Sequence, residues 1–420
     1  MVPVGNQILR PDNIFPPSSL QNLIIPQPYR FVPPRFNRFW HALVTRRMPG
    51  ILRKDYGVAE VEFQGMENLR ASRQAGHGVM LCPNHSRPSD PFLFNLLDSR
   101  VVPPVHVMGS WHIFMQGRVQ RYLLQRVGVF SMHREITDWQ SLRCAEEILC
   151  AARHPLVIFP EGITSRTNDH LMAFMRGPAL LARKAARRRA RQSGGRIVIH
   201  PVGIRYSFAG DLGAATRPVL AEIEARIGLH TPPALPLRTR ILRTGAALLA
   251  ERELRYFGAP QAGSLPVRVR GLLEHVLAPL EAEWIRRLRG GDVLARVKAV
   301  RAAISPRLVE PATPAGERAR FWRQIEDLYL VQQLHCYPAG YCEGGGPERL
   351  LEIVEHFEED LTDKVRSHYP LRAVVSIGAS LEVPPERAPS PRRDPLMQTL
   401  RARIEALLAT APQHHRTAWA

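Results

Sequence analysis

The sequence predicts an α/β fold, in which a mostly parallel sheet is flanked by helices and interrupted by a large all-helical insertion. Three observations lead to this prediction. Between residues 55 and 216, short apolar runs alternate with amphipathic stretches of about ten to fifteen residues, as in a parallel sheet with helical crossovers. Residues 217–370 contain helical patterns alone. Strand patterns return within residues 371–410, so we expect the chain to come back and complete the first sheet.

The composition is that of a globular protein with a strongly basic surface. The 420 residues are enough to bury one large core or two smaller ones. The formal net charge is +19, and almost all of the positive charge is arginine, so the surface should attract the phosphates of nucleic acid, anionic lipid or a phosphorylated substrate. The sequence has five cysteines, including Cys342, and no two of them form a Cys-x-x-Cys pair. We therefore predict that the protein has no metal site and that it works in a reducing compartment.

The chain shows no pattern of a segment that enters or crosses a membrane. Its N-terminus lacks the basic start and apolar run of a signal peptide, and no long uninterrupted apolar run reaches the length of a spanning helix. We therefore expect a cytoplasmic protein that lies peripherally on the inner face of the membrane.

Residues 1–54 divide into a Pro-rich part and a basic, aromatic part. Residues 1–34 are expected to be extended or poorly ordered. In the basic part, Phe36, Phe39, Trp40 and Leu43 share one face at helical spacing, with arginines between them. This pattern suits a helix that lies in a membrane interface, and it suits equally a helix that packs these rings on the domain core.

The elements follow one another in a regular order. In residues 55–216, strands are predicted at 56–63, 78–82, 101–107, 128–134, 156–159 and 196–203, and helices at 66–75, 91–98, 110–127, 139–153 and 177–191. In the insertion, helices are predicted at 217–228, 236–257, 265–289, 291–304, 315–336 and 347–368. The last segment carries strands at 373–377 and 381–383 and a helix at 395–408.

The turn after the second strand carries the first candidate site. Asn84-His85 follows the buried run, and Asp90 comes five residues after His85. A carboxylate that accepts the imidazole Nδ1–H fixes the tautomer and leaves Nε2 to take a proton from an alcohol, which makes an oriented general base. Alternatively, Asp90 or Ser89 simply caps the following helix.

Three further segments lie at predicted strand ends, where open α/β sheets place their sites. They are Gly128–Arg134, Phe159-Pro-Glu-Gly162 with Ser165-Arg166, and Ile199-His-Pro-Val202. In order and spacing, the four segments resemble the four sequence blocks of the glycerolipid acyltransferases, the 1-acylglycerol-3-phosphate acyltransferase family. The resemblance covers about residues 55–210.

The resemblance implies a role for each matching residue. His85 and Asp90 correspond to the catalytic pair of the Asn-His-x-x-x-x-Asp block, with His85 as the base. Arg134 corresponds to a phosphate-binding arginine. The third block supplies the remaining substrate-binding candidates, which are Glu161, Gly162, Thr164, Ser165 and Arg166. No nucleophilic serine is needed, so the implied mechanism is direct acyl transfer.

The sequence also departs from the family pattern. Ile163 follows the Phe-Pro-Glu-Gly run, which moves the arginine of that block one place on, to Arg166. His133 stands where an acidic residue is frequent, and the long helical insertion is not part of the common pattern. The family's frequent N-terminal membrane helices are replaced by the basic, aromatic segment.

We therefore expect transfer of a fatty acyl group to a hydroxyl of lysophosphatidate or a related glycerophospholipid. The donor would be an acyl-CoA or acyl-ACP co-substrate, with no cofactor, and the partners would be the lipid acceptor and an anionic membrane surface. One alternative is another lysolipid or amino-lipid acceptor. Another is a non-catalytic basic protein that binds anionic membrane or nucleic acid, for which the basic helix 177–191 is the main argument, although no nucleic-acid motif is present. Acceptor, chain length and oligomeric state stay open.

Overall fold

The computed structural model describes residues 27–98, 102–192, 195–232, 234–285, 291–338, 340–341, 346–362, 366–386 and 394–410. The predictions for residues 1–26 and for Cys342 lie outside the described residues. The chain divides into two compact units. One lies within Ile25–Gly210 and Ser367–Ala420, and the other within Asp211–Arg366.

The first unit is built on a single sheet. Its strands are β1 Val58–Gln64, β2 Gly78–Pro83, β3 His106–Ser110, β4 Val129–Met132, β5 Leu156–Val157, β6 Ile197–Phe208, β7 Leu371–Ile377 and β8 Leu381–Glu382. Among the described residues the order is β1-β7-β6-β2-β5-β3-β4, with β8 beside β6. Only β7 and β8 run antiparallel to their neighbour β6. The predicted fold class is confirmed.

Helices flank this sheet and build the second unit. The first unit contains α1 Arg38–Tyr56, α2 Met66–Gln74, α3 Asp90–Leu93, α4 Arg118–Arg126, α5 Trp139–Ala151 and α6 Gly177–Ala190. The second contains α7 Leu212–Arg226, α8 Leu237–Phe257, α9 Leu265–Ile285, α10 Val293–Val309, α11 Ala315–His335 and α12 Pro347–Thr362. The chain then returns to the first unit and ends its described part with α13 Pro395–Thr410.

The returning strand β7 lies inside the sheet, between β1 and β6. Val375 pairs with Phe63 of β1 on one side and with Ile204 of β6 on the other, and it is fully buried. In the described part of the chain, β1 is joined to the sheet through β7. The first strand in sequence is therefore held in place by one of the last.

Several element boundaries differ from the predictions. The helix predicted at 110–127 divides into a 3-10 turn at Trp111–Phe114 and α4, because Gly117 has extended backbone that a helix cannot continue. The strand predicted at 101–107 begins at His106, since Pro103 and Pro104 have no N–H to donate. The helix predicted at 91–98 is reduced to α3 and a 3-10 turn at Phe94–Leu96.

The end of one predicted strand and the start of one predicted helix also differ from the structure. The strand predicted at 196–203 extends to Phe208, because β7 pairs with its second half. The helix predicted from residue 217 starts at Leu212, because the Asp211 carboxylate accepts the N–H of Ala214 and caps it there.

The second unit is held by apolar cores between its helices and by buried ion pairs. One core lies among α8 to α11 and includes Val300, Ile325 and Leu328. Arg240 donates to both carboxylate oxygens of Glu224, and both side chains are largely buried. Fork-shaped pairs of this kind satisfy several hydrogen-bonding groups at once.

Several basic side chains of helix α6 bind carboxylates and carbonyls within the first unit. Arg183 donates to both carboxylate oxygens of Asp394, at 3.2 and 2.8 Å, and to the carbonyls of Pro384 and Glu386. Lys184 pairs with Glu146 at 2.7 Å. Arg189 donates to the carbonyls of Cys150, Gly195 and Gly76. These groups tie α6 to neighbouring segments, so the charge run is largely structural.

Replacing Arg183 by alanine should lower the free energy of unfolding by about 3 kcal/mol, because it leaves Asp394 buried without its partner. The side chains of the pair are only 7% and 10% exposed. Urea unfolding measures the change. The matched control is Arg191→Ala at the exposed end of the same helix, for which we expect a change below about 0.5 kcal/mol. Equal effects of the two substitutions would contradict this assignment.

Candidate active site

His85 and Asp90 lie together at the carboxyl end of β2. The Nδ1 atom of His85 is 2.9 Å from Oδ2 of Asp90. The turn that carries His85 is fixed by Asn84, whose amide donates to the Ile204 carbonyl and whose oxygen accepts the Ile204 N–H. Asn84 thus continues the pairing of β2 with β6 beyond the last residue of β2, and this places His85 at the edge of the sheet.

The Asp90 carboxylate is completely buried, and three groups hold it. Oδ2 accepts the Arg87 backbone N–H at 2.9 Å as well as facing His85. Oδ1 accepts the hydroxyl of Tyr206 at 2.6 Å. The donors lie before the helix or on β6, and Ser89 makes no side-chain capping bond. Ser89 occupies the N-cap position of α3, as the capping alternative predicted, but its side chain makes no capping bond, and the Asp90 carboxylate is held by groups outside the helix.

The opposite edge of the imidazole faces a hydroxyl. Nε2 of His85 is 3.1 Å from Oγ1 of Thr164, and the ring of Phe159 packs against the imidazole with a centroid distance of 4.2 Å. The His85 side chain is 16% exposed, whereas Asp90 has no exposure. A buried carboxylate on Nδ1 and a hydroxyl within hydrogen-bond distance of Nε2 form the arrangement of an oriented general base.

The third sequence block fixes the backbone of His85. Glu161 accepts the His85 N–H at 2.7 Å through one carboxylate oxygen and the Met172 N–H at 2.8 Å through the other. The Ser165 N–H and hydroxyl both donate to the His85 carbonyl, at 2.7 and 3.1 Å. Glu161 and Ser165 therefore hold His85 from both sides of its peptide, and the first and third blocks form one unit.

Burial dominates the protonation of Glu161. Desolvation raises the pKa of its carboxyl group to about 8, while the two backbone N–H groups act in the opposite direction. Nearby Asp90 raises the pKa further and Arg401 lowers it. The guanidinium of Arg401 donates to the carbonyls of Leu171 and Met172, next to the amide that Glu161 accepts.

Of the two candidate phosphate-binding arginines, Arg134 reaches the loop that carries Gly162 and Arg166 belongs to that loop. Arg134 follows β4, and its Nη1 is 3.4 Å from the carbonyl of Gly162. Arg134 also acts on His112, whose pKa falls to about 3, chiefly through burial and secondly through the arginine's charge. Arg166 has left-handed backbone, with φ of 58°, directly after the anchored Ser165. Gly162 also has positive φ, at 73°.

The structure thus brings together His85, Asp90, Glu161, Gly162, Thr164, Ser165 and Arg134. Arg166 comes directly after Ser165 in the chain. No group of three or more His, Cys, Asp or Glu side chains within the described residues could hold a metal ion. In the same part of the chain, no helix has both the length and the apolarity to cross a membrane.

Comparison with known proteins identifies this part of the chain. The family model described as Acyltransferase matches residues 60–205. Residues 60–205 form an acyltransferase domain. It belongs to the glycerolipid acyltransferase family, as the sequence resemblance predicted, so acyl transfer between a donor and a lipid acceptor is its general chemistry. No curated protein matches the chain.

The sequence analysis missed the contact of Tyr206 with the site of the acyltransferase domain. Tyr206 lies in the half of β6 that was not predicted, and its hydroxyl contacts both Asp90 and Ser89. The alternation of apolar and polar residues from Val202 to Phe208 is a strand signal that would have extended β6. The same signal places Tyr206 on the face of Ile204, but it gives no indication of the contact with Asp90.

We expect Tyr206→Phe to lower kcat of the acyltransferase about tenfold, a loss of ~1.4 kcal/mol in transition-state stabilisation, with KM unchanged. The reason is that Oδ1 of Asp90 loses its hydroxyl donor, and the carboxylate that orients His85 gains freedom. The initial rate of acyl transfer measures the effect. The control is Tyr256→Phe, which removes a tyrosine–carboxylate bond to Asp327 in the second unit. A change in KM alone would contradict a positioning role for Tyr206.

The raised pKa of Glu161 makes stability depend on pH. The folded chain holds a proton on this carboxyl between its ordinary pKa of 4.5 and about 8, whereas the unfolded chain releases it. The contribution to folding is therefore full below pH 4.5 and falls as the pH rises through this window. Glu161→Gln cannot titrate and should flatten the fall, which unfolding measurements across the window will show. The control is Glu67→Gln, an exposed glutamate on α2, and an unchanged slope in Glu161→Gln would contradict the assignment.

Proposed function

We propose that the protein transfers a fatty acyl group from a thioester donor, acyl-CoA or acyl-ACP, to a hydroxyl of lysophosphatidate or a related glycerophospholipid. The observation that carries the proposal is the position of His85, with the Asp90 carboxylate 2.9 Å from Nδ1 and a hydroxyl 3.1 Å from Nε2. The Thr164 hydroxyl at Nε2 marks a place that an acceptor hydroxyl can take.

The chemical steps follow from this geometry. The acceptor oxygen attacks the thioester carbonyl as its proton passes to Nε2 of His85. The imidazolium that forms is stabilised by the buried carboxylate of Asp90. When the tetrahedral intermediate collapses, the C–S bond breaks, and the departing thiolate takes the proton from Nε2. The products are the ester and the free thiol, and no cofactor or covalent enzyme intermediate is required.

The arginines support a phosphorylated acceptor. Arg134 reaches the loop that carries Gly162, and a planar guanidinium presents two donors to phosphate oxygens. We assign Arg134 and Arg166 to the phosphate. Glu161 is assigned to the positioning of His85, because backbone N–H groups occupy both of its carboxylate oxygens. Gly162, Thr164 and Ser165 complete the loop that would surround the glycerol end of the acceptor.

The alternative of a non-catalytic basic protein that binds anionic membrane or nucleic acid loses its main support. That support was the basic helix α6, and Arg183, Lys184 and Arg189 are engaged by carboxylates and carbonyls of the first unit. A second class of acceptor is another lysolipid or an amino-lipid. Transfer to such an acceptor would use the same base, and only the contacts of its headgroup with the arginines would differ. We propose that the protein works from the inner face of the membrane, where such acceptors lie.

The decisive test compares wild type with His85→Ala and Asp90→Asn in an assay of thiol release. Lysophosphatidate and an acyl-CoA or acyl-ACP are the substrates, and removal of a general base should lower kcat by about two to four orders of magnitude. The matched control is His230→Ala, an exposed histidine of the second unit. Turnover that persists in folded His85→Ala would overturn the mechanism. A dephosphorylated acceptor that reacts equally well would overturn the assignment of Arg134 and Arg166.

A further inference from the structure

Helices α1 and α4 together form a surface with exposed apolar side chains. No residue of α4 is buried. On this helix Val119 and Tyr122 are one turn apart and exposed. The ring of Tyr122 meets the ring of Trp40 on α1 edge to face, at 5.5 Å, and Phe39 contacts Trp40 at 5.7 Å. We call Phe39, Trp40, Val119 and Tyr122 the apolar patch.

The apolar patch resolves part of the question that the sequence left open about the basic, aromatic segment. Phe36 points toward the sheet side, where it contacts His106 at 6.5 Å between ring centroids. Phe39 is 69% exposed. The core contacts of α1 come from Met48 and Leu52, which are almost completely buried. The first turn of α1 therefore does not use its aromatic residues to fill the core.

The charges around the apolar patch are of one sign. No Asp or Glu occurs in residues 30–54 or in residues 99–134, which contain the patch and the chain on both sides of it. Arg126 lies over the ring of Tyr122, at 4.8 Å from its centroid. The remaining arginines next to the patch are exposed on α4 or at the start of α1, and they are Arg35, Arg38, Arg118 and Arg121.

Aromatic rings with arginines beside them are the chemistry of a lipid interface. Tryptophan and tyrosine favour the headgroup level of a bilayer, and arginines are drawn to anionic headgroups. We propose that the apolar patch and its five arginines dock the protein on an anionic lipid surface. This inference rests on the proposed function, because a lipid acceptor has to reach His85 from a membrane.

The apolar patch lies along the β3-β4 end of the sheet. Helix α4 connects the carboxyl end of β3 to the amino end of β4, and β3 is two strands, or about 10 Å, from β2. The first turn of α4, which includes Val119, is therefore the part of the patch nearer the edge that carries His85. The α1 part lies toward the opposite edge, because Asn37 donates to the Arg126 carbonyl at the end of α4 and Phe36 contacts His106 at the amino end of β3. Docking at the patch is therefore tested apart from turnover at His85.

The test is co-sedimentation of the full chain with vesicles of phosphatidylcholine alone and of phosphatidylcholine mixed with phosphatidylglycerol. We expect binding to the mixed vesicles, weaker at high salt. The double variant Phe39→Ser with Val119→Ser should lower the affinity about tenfold, since it removes two exposed apolar groups from the interface. Arg118→Gln with Arg121→Gln should lower it by roughly fivefold for each arginine.

The control is Leu180→Ser with Val267→Ser, which changes two side chains of similar exposure, 61% and 59%, that are not part of the apolar patch. It should bind vesicles as wild type does. Vesicle binding by Phe39→Ser with Val119→Ser that equals wild-type binding overturns the proposal. Self-association of the protein in ultracentrifugation without vesicle binding also overturns it, because the patch would then only hold two copies together. Turnover of a short-chain, water-soluble acceptor should be the same in all variants. If wild type does not turn over this acceptor, the result counts against the proposed function, whereas the conclusion from vesicle binding is unaffected.

Discussion

The completely buried carboxylate of Asp90 is the constraint on which the arrangement of the site depends. A buried carboxylate costs several kcal/mol unless hydrogen-bond donors surround it. The donors come from three places in the chain, which are His85 itself, the Arg87 backbone and Tyr206 on β6. Because these contacts require β2 and β6 to be side by side, the chemistry of the base is tied directly to the register of the two strands.

A second layer of contacts holds the histidine rather than the carboxylate. Glu161 and Ser165 take up the N–H and the carbonyl of His85, so the loop after β5 cannot move without moving the base. The two residues that hold the backbone of His85 differ in chemical character. Ser165 is a neutral donor, whereas Glu161 is a buried acid whose pKa lies well above its ordinary value. The site therefore depends on a carboxyl group that is not itself placed to react.

The sequence was sufficient for the fold class and for the pairing of His85 with Asp90, and the reasons are local. Alternating strands and helices have distinct periods, and a histidine and an aspartate on one strand-to-helix turn are close whatever the remainder of the chain does. Tyr206 was beyond reach, because its contact with Asp90 depends on the register between β2 and β6. The structural use of Arg183 was equally invisible, since its partner Asp394 lies far along the chain.

The position of β7 inside the sheet has a consequence for synthesis on the ribosome. One edge of β6 is covered by β7 and β8, which leave the ribosome only after the whole of Asp211–Arg366 has been made. Until then the nascent chain carries β6 with an unpaired apolar edge, a structure prone to pair with other chains. The helical unit, with its own cores, can fold during this interval. Its length therefore sets how long the edge of β6 stays unpaired during synthesis.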